Sequence, residues 1–123
     1  MPKKILVVDD EENQRRLYAQ ELEAEGYEVI EAENGRSALE KVAAERPDIV
    51  ILDICMPDMD GIEALGRILS SECHVPVVIN TAYGGYRENF MSWAADAYVV
   101  KSADLTELKR TVREILEKGS GAS

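Results

Sequence analysis

The stretch VILDICMP, at residues 50–57, places one acidic residue directly behind a run of apolar residues. Four or five apolar residues without helical gaps are typical of a strand that is buried on both faces of a parallel sheet. An uncompensated carboxylate is very costly inside an apolar core, so we expect Asp53 to lie where this strand ends and to face a crevice. Taken alone, Asp53 has a second explanation, which is that it caps the following turn.

Apolar runs of the same kind alternate with helical patterns along the chain. We predict strands at residues 5–8, 27–32, 49–53, 76–80 and 98–100, and helices at 12–25, 38–43, 62–69, 87–94 and 105–116. In the first helix we expect Leu17, Tyr18 and Leu22 to share the buried side. The segments between successive predicted strands are long enough for helical crossover connections, which favours crossovers over hairpins. The pattern therefore predicts a doubly wound α/β fold, (βα)5, whose five-stranded parallel sheet is covered by helices on both faces.

Composition restricts the classes of function. The chain has 123 residues, and we assign residues 1–118 to one domain and 119–123 to a flexible tail or the start of a linker. The formal net charge of -10 argues against direct binding of nucleic acid or of an anionic membrane surface. Cys55 and Cys73 lack the spacing of a zinc site and suggest reduced thiols. Because no apolar run is long enough to span a membrane, we expect a cytoplasmic protein.

Polar side chains stand directly behind four of the predicted strands. They are Asp9, Asp10, Asp53, Thr81 and Lys101. The carboxyl ends of parallel strands meet at one edge of the sheet, where open α/β folds bind their ligands. Carboxylates drawn together there repel one another unless a cation neutralises them, and Mg²⁺ suits such an oxygen site. The alternative is that the acidic run at 9–12 is only a solvated face that caps a helix.

A lysine and a hydroxyl beside these acids indicate one kind of chemistry. A carboxylate that attacks a phosphoryl group becomes an aspartyl phosphate. The new negative charge then needs a metal, an ammonium and a hydroxyl donor around its oxygens. Asp53, the neighbouring acids Asp9 and Asp10, Lys101 and Thr81 supply that set.

Several short motifs, taken in order, resemble the receiver domain of two-component response regulators. They are the hydrophobic run 5–8 ending in Asp9 and Asp10, Asp53 followed by Met56-Pro57 and Asp60-Gly61, Thr81-Ala82, and Tyr98 three residues before Lys101. The resemblance covers nearly the whole chain. It implies a flavodoxin-like (βα)5 fold with strand order 2-1-3-4-5 and a function in phosphorelay signal transduction.

The resemblance also implies a role for each residue of the site. Asp53 would take a phosphoryl group from a sensor histidine kinase or from a histidine phosphotransfer protein. Mg²⁺ would be bound by Asp10, Asp53 and the backbone carbonyl of Cys55, with Asp9 assisting through water. Lys101 would pair with the phosphoryl oxygens.

Thr81 and Tyr98 are the implied switch. Thr81 would swing inward to hydrogen-bond the phosphoryl oxygens, and Tyr98 would move from an outward to a buried rotamer. The changed surface would then act on a downstream protein target or a fused output domain, or form a phosphorylation-dependent homodimer. Such a domain catalyses only its own phosphoryl transfer and dephosphorylation. Lys101 is followed here by Ser102 where the family usually has proline, so we expect a trans peptide.

Other classes of protein compete with this interpretation. A magnesium-dependent phosphohydrolase needs a second acid two residues after its nucleophile, where this chain has Cys55. A calcium loop around residues 58–61 would need acids at its first and last positions, which are Met56 and Arg67. A receiver-like binding module that is never phosphorylated stays open as the alternative.

Overall fold

The computed structural model describes residues 2–53, 66–67, 75–81, 96–101 and 104–121. Of the predicted third helix, residues 66–67 are among them, and both are helical. The predicted fourth helix, Cys55 and the peptide between Lys101 and Ser102 lie outside the described residues.

Five parallel strands form one sheet in the order 2-1-3-4-5. The strands are β1 (Lys4–Val8), β2 (Glu28–Ala32), β3 (Ile49–Leu52), β4 (Val77–Thr81) and β5 (Ala97–Val100). Val8 of β1 pairs with Ala32 of β2 and with Leu52 of β3, so these three strands end level with one another. This topology confirms the predicted parallel sheet and its strand order, and it brings the strand ends to a common edge.

Alternate side chains of the central strands pack into two separate cores. The first lies against helix α2 (Gly35–Glu45) and includes Leu6, Val8, Ala38, Val42, Val50 and Leu52. The second lies against helices α1 (Glu12–Ala24) and α3 (Thr106–Gly121) and includes Ile5, Val7, Tyr18, Leu22, Ile49, Ile51, Leu108 and Val112. Both faces of β1 and β3 are therefore covered, which is why these strands have continuous apolar sequences.

Helix α1 buries a different set of residues than expected. Tyr18, Ala19 and Leu22 are buried, whereas Leu17 is 45% exposed, so our prediction for Leu17 is wrong. Successive helical residues are about 100° apart, and a buried face centred on Tyr18 and Leu22 turns Leu17 toward solvent. Gly26 follows the helix with a φ of 99°, a left-handed conformation that glycine adopts without steric cost.

Helix α2 is bounded by recognisable capping residues. Asn34 Oδ1 accepts a hydrogen bond from Ser37 N at 2.8 Å at the start of the helix. The C-cap residue Arg46 has a φ of 48°, and Pro47 behind it cannot continue the helix. These two ends return the chain to the sheet at Ile49, the first residue of the strand that leads to Asp53.

Helix α3 corresponds to the predicted helix at residues 105–116 and extends beyond its predicted end. Asp104 Oδ1 accepts hydrogen bonds from Thr106 N at 2.9 Å and from Thr106 Oγ1 at 2.6 Å, which caps its start. Its last residue is Gly121, so the helix runs three residues into the segment 119–123. Our assignment of that segment to a flexible tail or the start of a linker stays a prediction. Within the described ranges, no helix is both long and apolar enough to cross a membrane.

Candidate functional site

Backbone hydrogen bonds continue the sheet one residue past the strands and thereby place the site residues. Asp9 N donates to Ala32 O at 3.2 Å, Asp53 N donates to Val8 O at 3.1 Å, and Lys101 N donates to Thr81 O at 2.7 Å. Thr81 is itself the last residue of β4. The residues predicted from four strand ends therefore lie at the same edge of the sheet.

Three carboxylates converge at this edge. Asp9, Asp10 and Asp53 each present one oxygen, and these oxygens all lie within 4.8 Å of one another. Asp9 and Asp53 are 1% and 6% exposed, whereas Asp10 is exposed. Such a set of hard oxygen ligands, buried on one side and open to water on the other, could hold a divalent metal ion.

One oxygen of the cluster supports this interpretation directly. Asp9 Oδ1 accepts a hydrogen bond from Glu11 N at 2.9 Å. Asp9 Oδ2 is buried and has no hydrogen-bond partner within the described part of the chain. A buried carboxylate oxygen needs a cation beside it, and both the Lys101 ammonium, 2.8 Å away, and a bound metal ion can supply one. The residues present therefore fit a metal ion.

Lys101 bridges the two buried carboxylates. Its Nζ lies 2.8 Å from Asp9 Oδ2 and 2.9 Å from Asp53 Oδ2. The contact with Asp53 is also a hydrogen bond. The contact with Asp9 is an ion pair. The Lys101 ammonium thus partly neutralises the acidic cluster from the β5 side.

The charges around Lys101 keep it protonated. Burial by itself would lower the pKa of Lys101, but the contacts with Asp9 and Asp53 outweigh burial and raise this pKa above its ordinary value. Lys101 therefore carries a full positive charge throughout the neutral pH range. A permanent cation beside Asp53 is suited to stabilise negative charge that develops on a group bound there.

Two residues of helix α1 that were not predicted also belong to the site. Gln14 Oε1 accepts a hydrogen bond from Lys101 Nζ at 2.8 Å. Arg15 donates from Nη1 to Asp9 O at 2.9 Å and from Nε to Glu31 Oε1 at 3.0 Å. A helix that starts at a strand's carboxyl end has its first turn beside the site. Polar residues in that first turn were the signal that could have identified Gln14 and Arg15.

The predicted switch residues are both buried. Thr81 is fully buried and Tyr98 is 3% exposed. Tyr98 packs in the core cluster that includes Val77 and Ile79. The resemblance implies that Tyr98 moves from an outward to a buried rotamer, and in this structure Tyr98 is buried. The movement itself stays a prediction.

A polar pair lies behind the site in the second core. Tyr18 and Asn80 are 4% and 3% exposed, and their side chains are hydrogen-bonded. Burial raises the pKa of the Tyr18 phenol, and the hydrogen bond with Asn80 opposes that rise in part. The pair links helix α1 to strand β4 one residue before Thr81.

Comparisons with known proteins agree with this geometry. The family model of the response regulator receiver domain matches residues 5–113. The chain is 41% identical over 116 residues to the Regulatory protein AtoC of Escherichia coli (strain K12), which covers 93% of this chain and 25% of that protein. It is 38% identical over 118 residues to Sporulation initiation phosphotransferase F of Bacillus subtilis (strain 168), covering 94% of this chain and 95% of that protein. The chain therefore spans about a quarter of the length of one relative and nearly all of the other.

Solved structures give the same result. The response regulator protein TrrA from Thermotoga maritima, in complex with Mg(2+)-BeF, is 49% identical to this chain with a TM-score of 0.86, covering 92% of this chain and 98% of that one. A structure of TrrA in complex with the histidine kinase ThkA superposes with a TM-score of 0.85 at 49% identity, covering 93% of this chain and 98% of that one.

Proposed function

The chain belongs to the response regulator receiver domains, the signalling domains of two-component systems, and on that premise we propose that Asp53 is its phosphoacceptor. The observation that carries the proposal is the pairing of the Asp53 carboxylate with the Lys101 ammonium at 2.9 Å, beside Asp9 and Asp10. This arrangement combines a nucleophile, a permanent cation and a set of metal ligands at one edge of the sheet.

The proposed reaction is a phosphoryl transfer to a carboxylate. An Asp53 oxygen attacks the phosphorus of a phosphohistidine, so that a phosphorus–oxygen bond forms while the phosphorus–nitrogen bond breaks and the imidazole leaves. The Lys101 ammonium then neutralises part of the negative charge on the phosphoryl oxygens. The Thr81 hydroxyl donates a hydrogen bond to one of these oxygens. Dephosphorylation by water would return the carboxylate and release inorganic phosphate.

We assign the metal to the same cluster. Asp9, Asp10 and Asp53 would hold Mg²⁺, and the backbone carbonyl of Cys55 is the further ligand that the resemblance implies. When bound, Mg²⁺ supplies positive charge to the phosphoryl oxygens and neutralises the mutual repulsion of the acids. The convergence of the Asp9, Asp10 and Asp53 carboxylate oxygens within 4.8 Å of one another supports the assignment, as does the Mg(2+)-BeF complex of the related TrrA.

Intact-mass measurement after incubation with Mg²⁺ and acetyl phosphate tests the proposal. We expect the wild-type protein to gain one phosphoryl group and the Asp53→Asn protein to gain none. Asp48→Asn is the matched control, because Asp48 is exposed and accepts a hydrogen bond from Lys4 N at 2.7 Å, at the opposite end of the strands. This control should be phosphorylated like the wild type, and chelation of Mg²⁺ should abolish the adduct in both.

The alternative function gives a different result in the same assay. If the folded wild-type protein gains no phosphoryl group, the chain is a receiver-like binding module that works without phosphorylation. An adduct that persists in the Asp53→Asn protein would assign the phosphoacceptor to another residue.

The partners follow from the same proposal. The phosphoryl donor would be a histidine kinase or a histidine phosphotransfer protein, in keeping with the complex of TrrA with ThkA. The output would be a downstream protein, an output domain in a longer chain or a phosphorylation-dependent homodimer. A cytoplasmic location stays a prediction from the sequence.

A further inference from the structure

Gln14 holds the Lys101 ammonium from a direction that neither carboxylate supplies. A lysine ammonium has three N–H donors. Here Nζ contacts Asp53 Oδ2 at 2.9 Å, Asp9 Oδ2 at 2.8 Å and Gln14 Oε1 at 2.8 Å. The first two groups follow β3 and β1, and Gln14 lies in the first turn of helix α1. Three different elements therefore fix the position of one nitrogen at the end of a flexible four-carbon chain.

The start of helix α1 is itself anchored, so Gln14 is a fixed partner. Arg15, the next residue, donates to Asp9 O at 2.9 Å and to Glu31 Oε1 at 3.0 Å, and its side chain is 12% exposed. Arg15 N also donates to Glu11 O at 2.9 Å. These bonds tie the first turn of α1 to both β1 and β2, and they fix where the Gln14 side chain begins.

The chemical type of residue 14 also matters. Gln14 offers a neutral acceptor to Lys101, whereas a carboxylate there would add a fourth negative charge to Asp9, Asp10 and Asp53. A further negative charge would repel the anionic phosphoryl group and would bind the ammonium that this group needs. An amide therefore orients Lys101 without competing for its charge.

We propose that Gln14 is a positioning residue that keeps the Lys101 ammonium aimed at the phosphoryl group on Asp53 and so raises the rate of phosphoryl transfer. The inference rests on the proposed phosphoacceptor function of Asp53. Without the Gln14 acceptor, the ammonium settles on the two carboxylates and points less often toward the incoming group. A hydrogen bond to a charged group contributes enough to change the rate about tenfold.

The test measures the rate of phosphorylation by acetyl phosphate, with Mg²⁺ in excess, in matched glutamine variants. Gln14→Met keeps the length of the side chain but removes the acceptor, and we expect its limiting rate to fall about tenfold. Gln20→Met makes the same change at an exposed position of α1 and should leave the rate unchanged. Gln14→Glu should also be slow, because it keeps an acceptor but adds charge.

The effect of Gln14→Met on stability, measured with and without Lys101, shows whether Gln14 acts through its contact with Lys101 or through packing in general. Urea unfolding of the single variants and of the Gln14→Met/Lys101→Met double variant forms a double-mutant cycle. We expect Gln14→Met to have little further effect on stability once Lys101 is gone. An undiminished effect in that background, or a wild-type phosphorylation rate in Gln14→Met, would overturn the inference. Failure of the wild-type protein to accept a phosphoryl group would instead overturn the proposed function, and the unfolding cycle would still report on the Gln14 contact.

Discussion

Replacing Lys101 with methionine should destabilise the protein, and Mg²⁺ should restore much of the loss. The side chains of Asp9 and Lys101 are 1% and 13% exposed. The ligand oxygens of Asp9 and Asp53 lie within 4.8 Å of each other. At an effective dielectric constant of about 20, two such charges repel each other by at least about 3.5 kcal/mol. In the wild-type protein, the Lys101 ammonium offsets this repulsion.

The expected change in the free energy of unfolding follows from that repulsion. Removing one partner of a buried ion pair costs about 3–5 kcal/mol, and the partial exposure of Lys101 favours the lower end. For a domain of this size, about 3 kcal/mol lowers the urea midpoint by roughly 1–2 M. If Mg²⁺ binds only the folded state, a concentration of about 100 times its dissociation constant raises the free energy of unfolding by about 2.7 kcal/mol.

Urea unfolding followed by circular dichroism, with either chelator or Mg²⁺ present, measures both effects. We expect Mg²⁺ to stabilise Lys101→Met more than wild type, because Lys101 and the metal share the same carboxylates. Lys109→Met is the matched control. Lys109 lies 2.7 Å from Glu21 in a pair that water reaches, with side chains 26% and 43% exposed, so its loss should matter far less. Equal stability of Lys101→Met and wild type in chelator would refute this electrostatic reasoning.

Three further predictions concern the helices and Tyr18. Asn34→Ala removes the cap that accepts from Ser37 N and should lower the free energy of unfolding by about 1 kcal/mol, and an unchanged urea midpoint would contradict this. Arg46 and Gly26 both have left-handed backbones, which glycine adopts more easily than other residues. Arg46→Gly should therefore raise the free energy of unfolding by about 0.5–1 kcal/mol, and Gly26→Ala should lower it by a similar amount. Urea midpoints that shift in the same direction in both variants would contradict this argument. Because the fold raises the pKa of Tyr18, the neutral phenol is favoured, so the stability of the fold is unaffected below pH about 10 and falls as pH rises through the higher folded-state pKa. The tyrosinate absorbance of Tyr18→Phe should therefore lose a step that lies above the ordinary tyrosine pKa, and an unaltered titration would contradict the assignment.

The strands and the strand-end residues could be predicted from the sequence because parallel topology places them. A strand such as β3, buried on both faces, needs a continuous apolar run, and its first polar residue marks where the core ends. The positions of Asp9, Asp53 and Lys101 then follow from the rule that the carboxyl ends of parallel strands meet at one edge. The family resemblance added the specific roles of these residues.

The helix-borne contacts could not be predicted in the same way. Whether Gln14 or a neighbour reaches Lys101 depends on where helix α1 starts and on its rotation against the sheet, and no local pattern specifies either. The same rotation exposes Leu17, which the apolar pattern placed with Tyr18. Residues 119–121 were assigned to a tail from their glycine content, whereas the preceding amphipathic helix extends through them.

Strand β2 has a consequence for how the protein behaves at high concentration. It is the outermost described strand on its side of the sheet, and unpaired strand edges invite pairing with a second copy. Glu28 is exposed and Glu31 is partly exposed on this strand, and Lys4 on the neighbouring strand lies 3.8 Å from Glu28. Two molecules that approached along this edge would bring carboxylates of the same strand against each other in chains that each carry a net charge of -10. Edge-to-edge pairing of two molecules through β2 is therefore disfavoured.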